Sequence, residues 1–146
     1  MSPRVISRDQ LISAPASVIF DVLADPSQHA AIDGSGTVHG HVGRQSRLSL
    51  GSTFAMKMRF GIPYRIKSRI LEFEENRLIA WGHLGGHIWR YELQELGKET
   101  LVTETFDWST SRLPLVIEIL GYPRRHKKNM ERTLLRLAGL VELTTE

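Results

Sequence analysis

Glu104 sits among apolar neighbours in a strand-like run, Val102-Thr103-Glu104-Thr105-Phe106. An acid on the apolar face of a strand costs free energy unless it is hydrogen-bonded or paired. On the strand register worked out below, its cross-strand neighbour is Tyr91, whose hydroxyl can supply that bond. Burial raises a carboxyl pKa and suits the group to general acid/base work. A Tyr–Glu bond that only pins the register accounts for the same two residues. His83 and His87 flank a glycine-bearing turn. They have the chemistry to polarise a ligand carbonyl or move a proton, or they stand in solvent at the open end of a pocket. Glu104, Tyr91, His83 and His87 are therefore the catalytic candidates.

Other chemistry has less to stand on. The chain has no cysteine, which excludes a disulfide framework, a thiolate metal site and a cysteine nucleophile. His39 and His41 have an H-x-H spacing, but no third ligand lies nearby, so no metal and no cofactor is expected. Asp33-Gly34-Ser35-Gly36 is too short for a phosphate loop and reads as a turn. Ser46, Ser109 and Ser111 lack the context of a nucleophile elbow.

The elements that must position these groups follow from the spacing of apolar residues. Arg4 to Ser13 reads as a strand. Ala14-Pro15 starts a helix with Val18, Ile19, Val22 and Leu23 on one face, Pro being tolerated at a first helical position. Asp25-Pro26 ends it and begins a short second helix, with Asp25 as cap and Gln28 where a capping box wants Glu or Gln, closing near Ile32. From Thr37 to Ser109 the period changes to two. Phe54, Met56, Met58 and Phe60 alternate with Ala55, Lys57 and Arg59, and after Gly61-Ile62-Pro63, Tyr64, Ile66, Ser68 and Ile70 alternate with Arg65, Lys67 and Arg69. Further strand-like runs are Leu78–His83, His87–Leu96 and Thr100–Trp108, joined by short turns that imply an antiparallel meander. Leu113–Leu120 reads as a short helix or ordered loop. After Pro123 comes a helix with Met130, Thr133, Leu134, Leu137 and Val141 on one face.

Loop lengths set the register, because a slip of one residue turns every side chain over. A two-residue Gly85-Gly86 turn would set Trp81 opposite Arg90. A three-residue Leu84-Gly85-Gly86 loop with Gly86 left-handed pairs His83 with His87, Trp81 with Trp89 and Ile79 with Tyr91, and is preferred. A four-residue loop Glu74–Arg77 places Ile79 and Trp81 on the face of Ile70. A four-residue loop Leu96–Glu99 pairs Leu93 with Val102, Tyr91 with Glu104, Trp89 with Phe106 and His87 with Trp108. The inner face then carries Phe54, Met56, Met58, Tyr64 and Ile66, with Trp81, Trp89, Phe106 and Trp108 beyond them. Met130, Leu134 and Leu137 of the last helix close it. Its polar content is Ser68, Tyr91, Glu104 and the two histidines. A concave apolar site with a few convergent polar groups is what a small molecule needs; a filled core has the same composition.

Lys57, Arg59, Arg65, Lys67 and Arg69 form a cationic outer face, and Arg124, Arg125, Lys127 and Lys128 open the last helix. A solvated surface is the ordinary reading of such charge; docking to an anionic membrane or partner is the other. The net charge of +3 is too mild to point to a nucleic acid. With 41% hydrophobic and 24% charged residues the chain has an ordinary globular composition. The N-terminus lacks an apolar signal core, no run reaches membrane-spanning length, and a cytoplasmic location is the default expectation.

The order strand, two short helices, meander, long helix resembles the START-like (SRPBCC, helix-grip) superfamily, and within it the polyketide cyclase/dehydrase and lipid-transport family. The likeness is carried by Ile12-Ser13-Ala14-Pro15-Ala16-Ser17-Val18-Ile19-Phe20-Asp21-Val22-Leu23-Ala24-Asp25-Pro26, by Trp89-Arg90-Tyr91-Glu92-Leu93, by Val102-Thr103-Glu104-Thr105-Phe106-Asp107-Trp108 and by Asn129-Met130-Glu131-Arg132-Thr133-Leu134-Leu135-Arg136-Leu137. It implies an α+β fold: a seven-stranded curved antiparallel sheet wrapped around the C-terminal helix, two short helices after the first strand, and a cavity between. At 146 residues the chain fits one domain, expected to be a ligand-binding domain over residues 1–146 that takes a small hydrophobic or aromatic, lipid- or polyketide-like molecule, as a monomer or homodimer. These are scaffold residues, so the resemblance transfers no catalytic residue. A cyclase/dehydratase-type enzyme using Glu104, Tyr91 and a histidine, and an interaction module acting through the basic face, are the competing readings.

Overall fold

The first strand, β1 (Val5–Ile12), is an outer strand of the sheet and pairs with the last, β7 (Glu99–Asp107), from Val5 opposite Asp107 to Ile12 opposite Thr100. Between them in sequence come helix α1 (Ala16–Leu23), a 3-10 turn (Pro26–Gln28), α2 (His29–Ile32), and strands β2 (Val38–His41), β3 (Thr53–Phe60), β4 (Ile62–Glu74), β5 (Leu78–His83) and β6 (Ile88–Leu96). The strands form one antiparallel sheet in the order β1-β7-β6-β5-β4-β3-β2. Helix α3 (Tyr122–Thr144) follows the sheet. The computed structural model describes residues 4–34, 38–41, 47–60, 62–83, 86–110 and 122–144. Leu113–Leu120, Ser46, Ser111, Ser35-Gly36 and Leu84-Gly85, on which expectations fell, lie outside them.

Helix α1 begins one residue later than its Pro suggested. Pro15 is the N-cap, with φ −65° and ψ 150°, and Ala16 opens the helix. Its buried face is Ala16, Ile19, Phe20 and Leu23, the i, i+3, i+4, i+7 set, so Phe20 takes the place in the core that Val18 and Val22 only half fill. Asp25 caps the following turn as expected, accepting hydrogen bonds from the Ser27 amide at 3.0 Å and the Ser27 hydroxyl at 2.6 Å. The expected capping box does not form its full pattern: Gln28 makes no side-chain cap bond.

The β5–β6 and β6–β7 registers follow the spacing argument, but Leu96 and Glu99 are themselves a ladder pair, so the expected four-residue loop is a two-residue Gly97-Lys98 turn. Ile79 faces Tyr91, Trp81 faces Trp89, Leu93 faces Val102, Tyr91 faces Glu104 and Trp89 faces Phe106. Gly86 has φ 86° and Gly97 φ 69°, a left-handed region that glycine enters without steric cost. Both ladders stop one step before the expected ends, at Gly82–Ile88 and Ile88–Asp107, so His83–His87 and His87–Trp108 are not ladder pairs.

The β4–β5 connection corrects the expected four-residue loop. Glu74 pairs with Leu78 across a three-residue turn in which Asn76 has φ 63°, and a bulge at Leu71 makes up the missing residue. Ile70 still faces Trp81, but Phe73 now faces Ile79, and Glu72 lies opposite Ala80. The plain loop would set Glu72 inward and Phe73 outward. The bulge reverses both: Phe73 packs edge-on to Phe20 with ring centroids 5.3 Å apart, and Glu72 accepts a hydrogen bond from Arg90 at 2.5 Å.

Helix α3 divides along its length. Leu134, Leu137, Ala138 and Val141 are buried in the main core with Ile12, Ile19, Phe20 and Leu23. Each fully buried aliphatic side chain there contributes about 1.5–3 kcal/mol. The preceding turns, from His126 to Thr133, face the hollow between helix and sheet instead.

Candidate functional site

A hollow of about 640 Å³ remains among the described residues between the sheet and the first half of α3. That falls within the range of about 300–1,000 Å³ usual for small-molecule sites. Strands β3 and β4 contribute Phe54, Met56, Met58, Tyr64, Ile66 and Ser68. Trp81 comes from β5, Trp89 and Tyr91 from β6, Glu104 and Phe106 from β7, and Met130 from α3. These are the positions that alternation and register had turned inward.

Three expected lining residues are elsewhere. Leu134 and Leu137 are wholly within the core, because the helix passes from hollow to core after Thr133. Trp108 follows the last ladder pair and stacks on Phe106 at 5.5 Å and 23°, in a packed cluster with Met130. His83 ends β5 opposite Ser68 in the ladder, and its side chain is outside those described, as are the side chains of His39 and His41.

The deepest polar pair is Tyr91 and Glu104, respectively 4% and 3% exposed. The Tyr91 hydroxyl donates to Glu104 Oε2 at 2.7 Å. Glu104 Oε1 is buried and has no hydrogen-bond partner among the described residues. Burial pushes the Glu104 carboxyl up to about 8; the hydrogen bond from Tyr91 opposes this, and the negative charge of Asp33 adds to it. Tyr91 is itself held well above the ordinary tyrosine value, first by burial and then by Glu104. At neutral pH the carboxyl is mainly neutral, with a proton to donate.

Helix α2 and the loop after it supply what the sequence argument missed. His29 lies on the wall, stacked on Trp81 at 5.1 Å and 18°, with Phe54 edge-on at 5.5 Å. Its Nε2 donates to the Leu23 carbonyl at 2.9 Å, which leaves Nδ1 as the acceptor of a neutral ring. Burial lowers its pKa, against the raising effects of the Leu23 carbonyl, Asp25 and Asp33. Ile32, Asp33 and Val38 line the hollow beside it. This corner is tied to α3. The Gly34 amide donates to Thr133 Oγ1 at 2.9 Å, and Arg136 bonds the Asp33 carbonyl. A Cβ on Gly34 would meet the Asn129 carbonyl oxygen at 2.4 Å and the Thr133 nitrogen at 2.7 Å, so the loop approaches the helix as only glycine can.

The remaining wall comes from α3 and the start of β6. His126, Lys128, Asn129, Arg132 and Thr133 line the hollow, as does His87. His126 packs edge-on to Phe106 at 4.5 Å and Trp89 at 5.0 Å, and His87 meets Phe106 at 5.3 Å. His126, Asn129 and Thr133 stand at i, i+3 and i+7, a polar stripe beside Met130 whose spacing is readable in the sequence once the helix is placed. His29 and Asp33 carry no periodic signal.

No family model matches the chain. Uncharacterized protein Rv0088 of Mycobacterium tuberculosis is 39% identical over 142 residues, 93% of this chain and 63% of the relative. The chain therefore spans less than two thirds of the length of this curated relative. Among solved structures, the Polyketide_cyc-like protein Cgl2372 from Corynebacterium glutamicum superposes with a TM-score of 0.62 at 15% identity, covering 99% of this chain and 95% of that one. The AHSA1-like protein from Aeromonas hydrophila gives 0.67 at 16% identity over 93% of both chains. The fold is START-like. At such identities the likeness concerns the fold alone.

Proposed function

We propose that this chain is one ligand-binding domain of the polyketide cyclase and lipid-transport type, holding a small, largely apolar molecule that carries one hydrogen-bond acceptor. The observation that supports the reading is that Glu104, which lines an apolar hollow, has its Oε1 buried and without a partner among the described residues. An unpaired buried polar atom costs roughly 1–3 kcal/mol. A ligand carbonyl oxygen accepting the carboxyl proton removes that cost, while Trp81, Trp89, Phe106 and the methionines bury the rest of the molecule.

Native mass spectrometry of the purified chain tests whether a molecule co-purifies. A matched pair tests the chemistry: acetylnaphthalene against ethylnaphthalene, alike in size and differing in the carbonyl. The ketone is expected to bind about tenfold more tightly to the wild type. Glu104→Gln, whose amide still donates, should keep the preference, and Glu104→Leu should abolish it. Equal binding of both compounds to the wild type overturns the assignment of Glu104. No binding of either, with nothing co-purified, overturns the cavity reading.

A second reading, a cyclase- or dehydratase-type enzyme, draws on the same acid. A carboxyl pushed up to about 8 holds and releases a proton near neutral pH, as a general acid/base must. Glu104 lines the hollow rather than lying satisfied away from it, which is the condition this reading requires. Conversion of a co-purified ligand, abolished by Glu104→Gln while binding persists, separates catalysis from binding.

A further inference from the structure

Strands β3 and β4 have two unlike faces. Phe54, Met56 and Ser68 are turned into the hollow, while Lys57, Arg59, Arg65, Lys67 and Arg69 are all exposed on the other side. The ladder sets Lys57 directly opposite Arg65, with Lys67 and Arg69 continuing the same face opposite Ala55 and Thr53. None of the five makes an ion pair among the described residues. Together they exceed the chain's whole net charge of +3, so the rest of the molecule is net negative. Like charges directly opposite one another weaken a strand pair. The arrangement thus works against the hairpin alone and is relieved by an anionic surface laid against it.

The turn end of the same hairpin is apolar. Ile62 is 76% exposed and Pro63 beside it is exposed too. Tyr64, 45% exposed, follows at the rim of the hollow. Alternation puts Pro63 on the cations' face and Ile62 on the other, so the turn end of the hairpin carries exposed aliphatic residues on both sides; a cationic face with such an end matches a phospholipid interface, which offers anionic headgroups and hydrocarbon within one side chain's reach. A nucleic-acid backbone answers the cations but gives Ile62 nothing to enter.

We propose that the β3–β4 hairpin docks on an anionic phospholipid bilayer, with Lys57, Arg59, Arg65, Lys67 and Arg69 over the headgroups and Ile62 in the interface. Met58 and Tyr64 face each other in the same hairpin and line the hollow from the opposite face of the sheet, away from the docked cations. The proposal does not depend on what the hollow holds.

The test is co-sedimentation of the whole chain with vesicles of phosphatidylcholine, with and without phosphatidylglycerol, at low and at physiological salt. Binding is expected to the anionic vesicles alone and to weaken with salt as screening shortens the reach of the charges. Each cation near such a surface is worth roughly fivefold, so Lys57→Glu/Arg65→Glu/Lys67→Glu should lose on the order of a hundredfold or more. Ile62→Asp should lose about tenfold. Should the charge reversal disturb the ladder, as read by circular dichroism, Lys57→Gln/Arg65→Gln/Lys67→Gln takes its place. The proposal is overturned by absence of binding to anionic vesicles, by equal binding to neutral ones, or by a folded triple variant that binds like the wild type. It is also overturned if duplex DNA binds more tightly than the vesicles and is indifferent to Ile62→Asp.

Discussion

Tyr91 donates a 2.7 Å hydrogen bond to Glu104 across the β6–β7 ladder, where the two residues are direct partners. The bond joins the register of two strands to the protonation of the site. Tyr91→Phe leaves Oε2 of a buried carboxyl without its donor, and should destabilise the chain by about 1–3 kcal/mol. In a double-mutant cycle with Glu104→Leu the two losses should fail to add, with a coupling of roughly 1–2 kcal/mol by urea denaturation. Additive losses would show that the bond contributes nothing to stability.

The raised carboxyl has a definite sign in stability. Glu104 has its folded pKa, about 8, above its ordinary value of 4.5, so between these limits the native state binds more protons than the unfolded one. Stability attributable to this group is full below the lower value and is lost as pH rises through the higher one. At 1.36 kcal/mol per pH unit the loss amounts to roughly 4–5 kcal/mol. Urea midpoints between these limits should therefore fall with pH more steeply in the wild type than in Glu104→Gln. Parallel profiles would contradict an acid held neutral by burial.

His29 works in the opposite direction. Burial depresses its pKa below the ordinary 6.5, so the unfolded chain takes up the proton first as pH falls. Its contribution to stability is present above that value and is lost on acidification. His29→Gln should flatten this acid limb while leaving the alkaline loss in place. A limb unchanged by the substitution would assign it to other groups.

Gly34→Ala should be costly although the residue lies in a loop. The added methyl meets backbone atoms of Asn129 and Thr133, which cannot swing aside like the end of a side chain. The expected loss is about 1–3 kcal/mol, and more if α3 shifts. Thr133→Val, which removes the acceptor of the Gly34 amide, should cost roughly 1–3 kcal/mol. Thermal unfolding of both variants decides it: midpoints within a degree or so of the wild type would mean the loop is not pinned to the helix.

The sheet was legible where alternation and turn chemistry agreed. Phe54, Met56 and Met58 against Lys57 and Arg59 set one face, and loop lengths, with Gly86 left-handed, set how β5, β6 and β7 meet, so Tyr91 and Glu104 came together from spacing alone. Period two cannot show a bulge, which is a break in the period, and so the four-residue loop Glu74–Arg77 was expected where the turn has three residues. Helix α3 was legible as an amphipathic face, but the point at which that face passes from hollow to core depends on where the helix docks. Leu134 and Leu137 were misplaced for this reason, and Asn129 and Arg132 were overlooked. His29 and Asp33 reach the site from a helix of only four residues and the loop after it, too short for any period to register.

Leu71 is the one unpaired residue of β4 in its ladder with β5. Deleting a residue from a strand ordinarily exchanges inside for outside along everything beyond the cut. Here the cut would be silent in that sense: Ile70 stays opposite Trp81, Phe73 opposite Ile79, and every wall residue keeps its side. What changes is curvature, since a bulge bends and twists the strand that carries it. A chain shortened by Leu71 should thus retain each residue of the hollow while flattening the sheet behind it, which makes this position a natural means of resizing the chamber without repainting its walls.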